Sequence, residues 1–201
     1  MNIFQNSTDV GLHLSLDGVQ LTALRNHEVT PILLFNQNLP PTLRYKAKNI
    51  MVFGIIPGPS SPGDIDSFLA PLIDELILLD NGIPNTYDAH TDTNFTLRAA
   101  VTIVTGDMVA IQKVMSWAGP NGKFPCWCCS IKGIRSHGNA DGKGKHSYFP
   151  PTFSGYDVAN LPTRRNIRSE ITRVCIANTN AARTGSGISG YSGLLKLRNL
   201  H

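Results

Sequence analysis

No apolar run in this chain approaches the roughly 18–20 residues that a membrane-spanning helix needs, and its first residues, Met1-Asn-Ile-Phe-Gln-Asn-Ser7, lack the basic start and apolar stretch of a signal peptide. Export is therefore not expected. The 4 cysteines accordingly read as reduced thiols or metal ligands rather than disulfides. The sequence has no Walker loop, no Rossmann fingerprint in a strand-to-helix context and no Gly-x-Ser-x-Gly elbow. ATP-driven and serine-hydrolase chemistries are unsupported. It also shows no internal repeat.

What is present suits one good core with an appendage, at 41% hydrophobic residues and a mean hydropathy of −0.07. The net charge of +4 conceals a division. Residues 1–121 carry 6 Lys+Arg against 11 Asp+Glu, a balance of −5, whereas residues 122–201 carry 12 against 3, a balance of +9. A cationic half beside an acidic one points to a polyanion partner, with a solvated basic surface as the plainer alternative.

Leu12, Leu14 and Leu16 alternate with smaller or polar residues, a strand pattern broken at Asp17-Gly18. A second apolar run spans Pro31 to Leu39. Asn49 to Ile56 is apolar nearly throughout, as in a strand covered on both faces. Asp64 or Ser61 then caps a helix in which Ile65, Phe68, Leu69, Leu72, Ile73, Leu76 and Leu79 recur at three-and-four spacing. Pro71 should kink it, and Asn81-Gly82 should end it. Phe95 to Val104 reads as the next strand and Met108 to Trp117 as a short helix, with Val109, Val114 and Trp117 available for packing. Beyond Gly119, residues 167–183 suggest a basic helix and Gly185 to Gly193 a flexible linker. The order β-β-β-α-β-α is that of an RNase H-like mixed sheet with flanking helices, followed by a cysteine-containing irregular segment and a basic linker.

In that topology the first strand and the strand after the helix are neighbours. Asp17 and Asp107 each end one of them. Adjacent carboxylates repel unless a cation sits between them, and Mg²⁺ or Mn²⁺ favours such hard oxygen ligands. The alternative is that Asp17-Gly18 and Gly106-Asp107 are ordinary turns. Cys126 and Cys129 form a Cys-x-x-Cys pair able to hold one side of a tetrahedral Zn²⁺, with His137 or His146 as candidates to complete it. Their spacing, seven then eight intervening residues, matches no standard finger. Asp88, His90 and Asp92 share a loop, and His13 lies on the polar side of the first strand; structural roles fit all of these. Trp117 and Trp127 read as packing residues.

The ordered blocks Asp17-Gly-Val-Gln-Leu21, Thr30-Pro-Ile-Leu-Leu34, Asn38-Leu-Pro-Pro41, Gly54-Ile-Ile-Pro-Gly-Pro59, Asp64-Ile-Asp-Ser-Phe-Leu69, Phe95-Thr-Leu-Arg-Ala-Ala100, Thr105-Gly-Asp107, Cys126-x-x-Cys129 with Ile131-Lys-Gly133, and Gly187-Ile-x-Gly-x-Ser-x-Leu-Leu195 resemble the central part of the transposase of CACTA (En/Spm-like) DNA transposons. The resemblance implies a nuclear DDE/D-type enzyme that cuts transposon ends and joins them to target DNA with divalent metal ions, with self-association allowed. It makes Asp17 and Asp107 the first two metal carboxylates and matches Cys126 and Cys129 to the family's cysteine pair. Three parts are expected: an incomplete catalytic core over 1–118, a Cys-x-x-Cys segment over 119–155, and a basic linker or start of an insertion over 156–201. Lys143, Lys145, Arg164, Arg165 and Arg168 are the expected DNA contacts. The family's third acid lies past the Leu194-Leu195 block, and Glu170 is not assigned to that role. A chain inactive on its own is the expectation, with a non-catalytic DNA- or partner-binding remnant as the alternative.

Overall fold

The computed structural model describes residues 4–20, 28–58, 62–119, 122–135, 147–148 and 162–198. They form two compact units, one of residues 1–111 with 193–201 and one of residues 112–192.

The first unit is built on a mixed sheet. Strands β1 (Val10–Leu16), β2 (Val19–Gln20) and β3 (Glu28–Asn36) come first. A turn of helix α1 (Pro41–Arg44) and a 3₁₀ turn (Ala47–Asn49) lead to β4 (Ile50–Ile56). Helix α2 (Asp66–Asn81), a hairpin of β5 (Ile83–Asp88) and β6 (Thr93–Leu97), strand β7 (Ala99–Thr105) and helix α3 (Met108–Val114) follow. β3 lies antiparallel to both β1 and β4, and β7 lies parallel to β1. Joining β4 to a strand parallel to β1 requires a crossover, which α2 supplies.

β2 pairs with β3 in the same register as β1: Leu16 faces Ile32 and Val19 faces Val29. The two are one line interrupted at Asp17-Gly18. The Gln37 N–H donates to the Gly11 carbonyl, which fixes the odd-numbered β1 positions as hydrogen-bonded pairs with β3. Position 17 in this register faces Pro31, which has no N–H to give. The ladder therefore opens at the aspartate.

Leu12, Leu14, Leu16, Ile32 and Leu34 turn one sheet face inward, and α2 buries Leu69, Leu72, Ile73 and Leu76. α2 packs on β7 and on the 3₁₀ turn Gly193–Lys196, whose Leu194 and Leu195 are also buried. It is helical through Pro71 and ends at Gly82, whose positive φ of 100° suits glycine. Its N-cap is Ile65 rather than Asp64 or Ser61, and Asp64, one residue earlier, accepts from the Asp66 and Ser67 N–H groups.

Two expectations change. β4 is not covered on both faces: among the described residues it pairs with β3 alone, and Met51, Val52, Phe53 and Ile55 are exposed. The run from Phe95 to Val104 is not one strand. It divides at Arg98, the β6 part pairing with β5 and the β7 part with β1.

In the second unit the two-residue strands β8 (Ile134–Arg135) and β9 (Ser147–Tyr148) pair antiparallel. Helices α4 (Ile167–Ala177) and α5 (Asn180–Ser186) pack together, separated where Asn178 turns left-handed. The single helix expected over 167–183 is thus two, and each has its own cap: Asn166 accepts from Ser169 N–H and Thr179 from Ala182 N–H. Nor is Gly185 to Gly193 a flexible linker. Gly187 caps α5, Ile188 bridges Trp117, and the buried Ser192 hydroxyl donates to the Val114 carbonyl.

Candidate functional site

Two loci carry chemistry, one in each unit. In the first, the parallel register places Ser15 beside Thr105. Two residues further along both strands stand Asp17 and Asp107, at the same end of neighbouring strands. Neighbouring strands run roughly 5 Å apart. Gly106 permits the approach, because a Cβ there would collide with the Leu16 carbonyl oxygen.

Both aspartates are exposed. Asp107 also caps α3, its Oδ1 accepting from the Ala110 N–H at 2.6 Å, which orients the carboxylate. The Glu28 side chain lies against Gly18 at that end of the sheet. Its position there follows from the β2–β3 register, which the linear sequence does not display. On the same strands, His13 Nε2 and Thr105 Oγ1 are 2.6 Å apart, and the His13 ring lies 5.2 Å from that of Phe35. Burial, with the Arg44 charge, lowers the His13 pKa. Among the described residues, no three His, Cys, Asp or Glu side chains are grouped to hold a metal ion.

The second locus is the cysteine loop. The N–H groups of Cys129 and Cys128 point at the Cys126 sulfur, and that of Ile131 at the Cys129 sulfur. Burial opposes ionisation of Cys126, but those N–H groups, the Cys129 thiol and the Arg165 charge outweigh it and lower its pKa. Burial raises Cys128, helped by the two neighbouring thiols, and burial likewise raises Cys129. His137 and His146, the proposed completing ligands, lie outside the described residues, as do Lys143 and Lys145.

Arg165 holds this loop together. Its side chain is 3% exposed. Nε donates to the Cys129 carbonyl at 2.9 Å, and Nη1 donates to the Ser186 carbonyl at 2.7 Å and to Glu170 Oε2 at 2.8 Å. The guanidinium stacks 4.7 Å from the Trp117 ring centroid. Arg165, an expected DNA contact, directs its Nε and Nη1 donors at two carbonyls and a carboxylate of its own unit. Arg164, its neighbour, is exposed, and Arg168 is half-buried in α4. Trp127 also departs from expectation: it is exposed, whereas Trp117 is buried.

The model of the transposase family tnp2 matches residues 2–168. The chain belongs to that family. No curated protein matches it. The match spans both loci of this tnp2 member, from Asp17 through Asp107 to the cysteine pair and Arg165. The chain is accordingly a transposase-derived protein. No helix among its described residues is long and apolar enough to cross a membrane.

Proposed function

We propose that this tnp2 protein supplies the first two carboxylates of a metal-dependent DNA-cleaving and strand-transferring centre of the CACTA type, on an RNase H-like sheet, in the nucleus. The observation that carries the reading is the placement of Asp17 and Asp107 at one end of the parallel β1–β7 pair. Three antiparallel strands, a helix and a fourth strand parallel to the first support the RNase H-like assignment. Two exposed carboxylates are hard oxygen donors that fit Mg²⁺ or Mn²⁺. Such ions, when bound, ready an attacking oxygen and stabilise a leaving one at phosphorus. The protein's own part is to orient: the α3 cap fixes Asp107, and the break opposite Pro31 frees Asp17. With no third donor grouped beside them among the described residues, strand transfer by this chain alone is not expected. For the Cys126–Cys129 pair we propose a structural Zn²⁺, which would hold both sulfurs as thiolates and which the backbone N–H groups at those sulfurs would suit.

Mn²⁺ titration tests the site. Asp17→Asn and Asp107→Asn should each weaken binding, and Asn caps helices as well as Asp does, so loss in the second variant reports charge rather than a frayed α3. Equal affinity in the wild type and both variants would remove the assignment.

A second reading, a non-catalytic DNA-binding remnant, is favoured by the +9 balance of residues 122–201. It predicts sequence-independent DNA affinity that falls steeply with salt, as released counterions require. Affinity that stays flat across a salt series would count against it.

A further inference from the structure

The protein has 2 tryptophans, and they are used differently. Trp117 is 5% exposed beneath the Arg165 guanidinium, whereas Trp127, between the two knuckle cysteines, is 42% exposed. An exposed indole offers a flat apolar face with a polar edge, and what it can contact depends on how firmly it is held and on the charge beside it.

The segment carrying Trp127 is held at several points. Ser130 N–H donates to the Thr163 carbonyl, Arg165 N–H to the Cys128 carbonyl, Arg165 Nε to the Cys129 carbonyl, and Gly133 N–H to the Lys123 carbonyl. The indole is therefore presented from a braced loop.

Among the described residues, the exposed charges on and beside this loop are basic. Lys123 and Lys132 stand on the two arms of the loop, and Arg164, bridged to Cys129, is close enough to act on the Cys128 thiol beside Trp127. All three are exposed. Glu170, the one acidic residue described in this unit, is bound to Arg165. A partner that satisfies both features must be anionic and must offer flat faces. A duplex offers the charge but keeps its base faces inside the stack; an unpaired strand offers both.

Resting on the reading that this transposase acts on DNA, we propose that Trp127 is a stacking platform for an unpaired base of single-stranded DNA, with Lys123, Lys132 and Arg164 on the flanking phosphates.

The test uses the full chain with fluorescently labelled oligo(dT) of about twelve nucleotides, within the usual site size of a single-strand binder, and a duplex of equal charge. Trp127→Ala should weaken oligo(dT) binding roughly ten-fold, the order of one lost base stack, and leave duplex binding nearly unchanged. Trp127→Phe should keep most of the affinity and Trp127→Leu should not, so an aromatic face is separated from mere bulk. The Trp117 emission of the Ala and Leu variants reports whether the loop is still folded, and if either is unfolded the wild-type emission decides: oligo(dT) but not the duplex should quench the exposed Trp127, and equal or absent quenching overturns the stacking role. Binding of oligo(dT) unchanged by all three substitutions, or equally reduced for duplex and single strand, overturns the stacking role while leaving the DNA reading in place. Wild-type protein that binds neither probe at low salt overturns both. Heparin competing as well as oligo(dT), with no sensitivity to Trp127, would identify a purely electrostatic surface and also overturn the stacking role.

Discussion

In the sheet unit the groups withdrawn from water are mostly Leu, Ile, Val and Ala, alternating along β1 and β3 and recurring along α2. Among the described residues of the cysteine-bearing unit, a buried guanidinium joins three partners. Apolar burial is non-directional, so the first interior tolerates rearrangement of any single contact. Arg165 ties Cys129, Glu170 and Ser186 at fixed angles, and its loss strands several partners at once. The first unit should therefore lose stability in proportion to volume removed, the second in proportion to hydrogen bonds orphaned.

The largest effect should come from Arg165→Leu, which keeps an apolar body but leaves Glu170 and two carbonyls without their donor. Removing one partner of a buried pair costs about 3–5 kcal/mol, read here as a lowered urea midpoint followed by Trp117 fluorescence. Arg165→Lys should recover only part of this, since an ammonium lacks the planar fork. If Arg165→Leu costs less than about 1 kcal/mol, the polar strut is not what holds this unit, because even one hydrogen bond to a charged group is worth more. Leu14→Ala, at a fully buried position facing Leu34 and Val104, should cost about 2–5 kcal/mol according to how far the cavity collapses. Hydrogen exchange along β1 and β3 would locate the loss.

The same contrast explains what was legible beforehand. Alternating leucines announce β1, and three-and-four spacing announces α2, because one face of each must leave water. Both ends of the β1–β7 pair followed from strand order, and so the alignment of Asp17 with Asp107 was readable. The hairpin that divides the run after Phe95 was hidden, since Arg98 interrupts an apolar pattern without a glycine or proline. The internal bonds of Arg165 were hidden for a different reason: a cation in a basic run looks the same whether it meets phosphate or a carbonyl of its own chain. Only the fold distinguishes Arg165 from Arg164. Trp127 was misread in the converse way, because an aromatic beside cysteines suggests packing until its exposure is known.

Caps should matter less than struts. Asn166→Ala removes the side-chain acceptor for Ser169 N–H at the start of α4, and about 1 kcal/mol is the ordinary cost, measurable by thermal denaturation. A loss as large as that of Arg165→Leu would mean that α4 is the pillar of the unit and Arg165 only fastens to it.

The smallest effect tests whether a partly buried charge plays the same part in both units. Asp66, in the first turn of α2, accepts from the Gly193 N–H at 3.0 Å and so secures the 3₁₀ turn. Burial raises its pKa above 3.8, with the Gly193 N–H pulling the other way. The folded chain then holds this proton more tightly than the unfolded one, so the contribution of Asp66 to stability falls as pH rises from 3.8 through the raised value. Asp66→Asn keeps the acceptor and removes the charge. It should leave stability slightly higher at pH 7 and flatten the decline above pH 3.8, checked by urea denaturation across a pH series. The helix dipole opposes this, since a carboxylate in the first turn is favoured by about 0.3–1 kcal/mol. A variant that is less stable at pH 7 would show the dipole outweighing desolvation, and the charge of Asp66 would then support its unit as that of Arg165 supports the other.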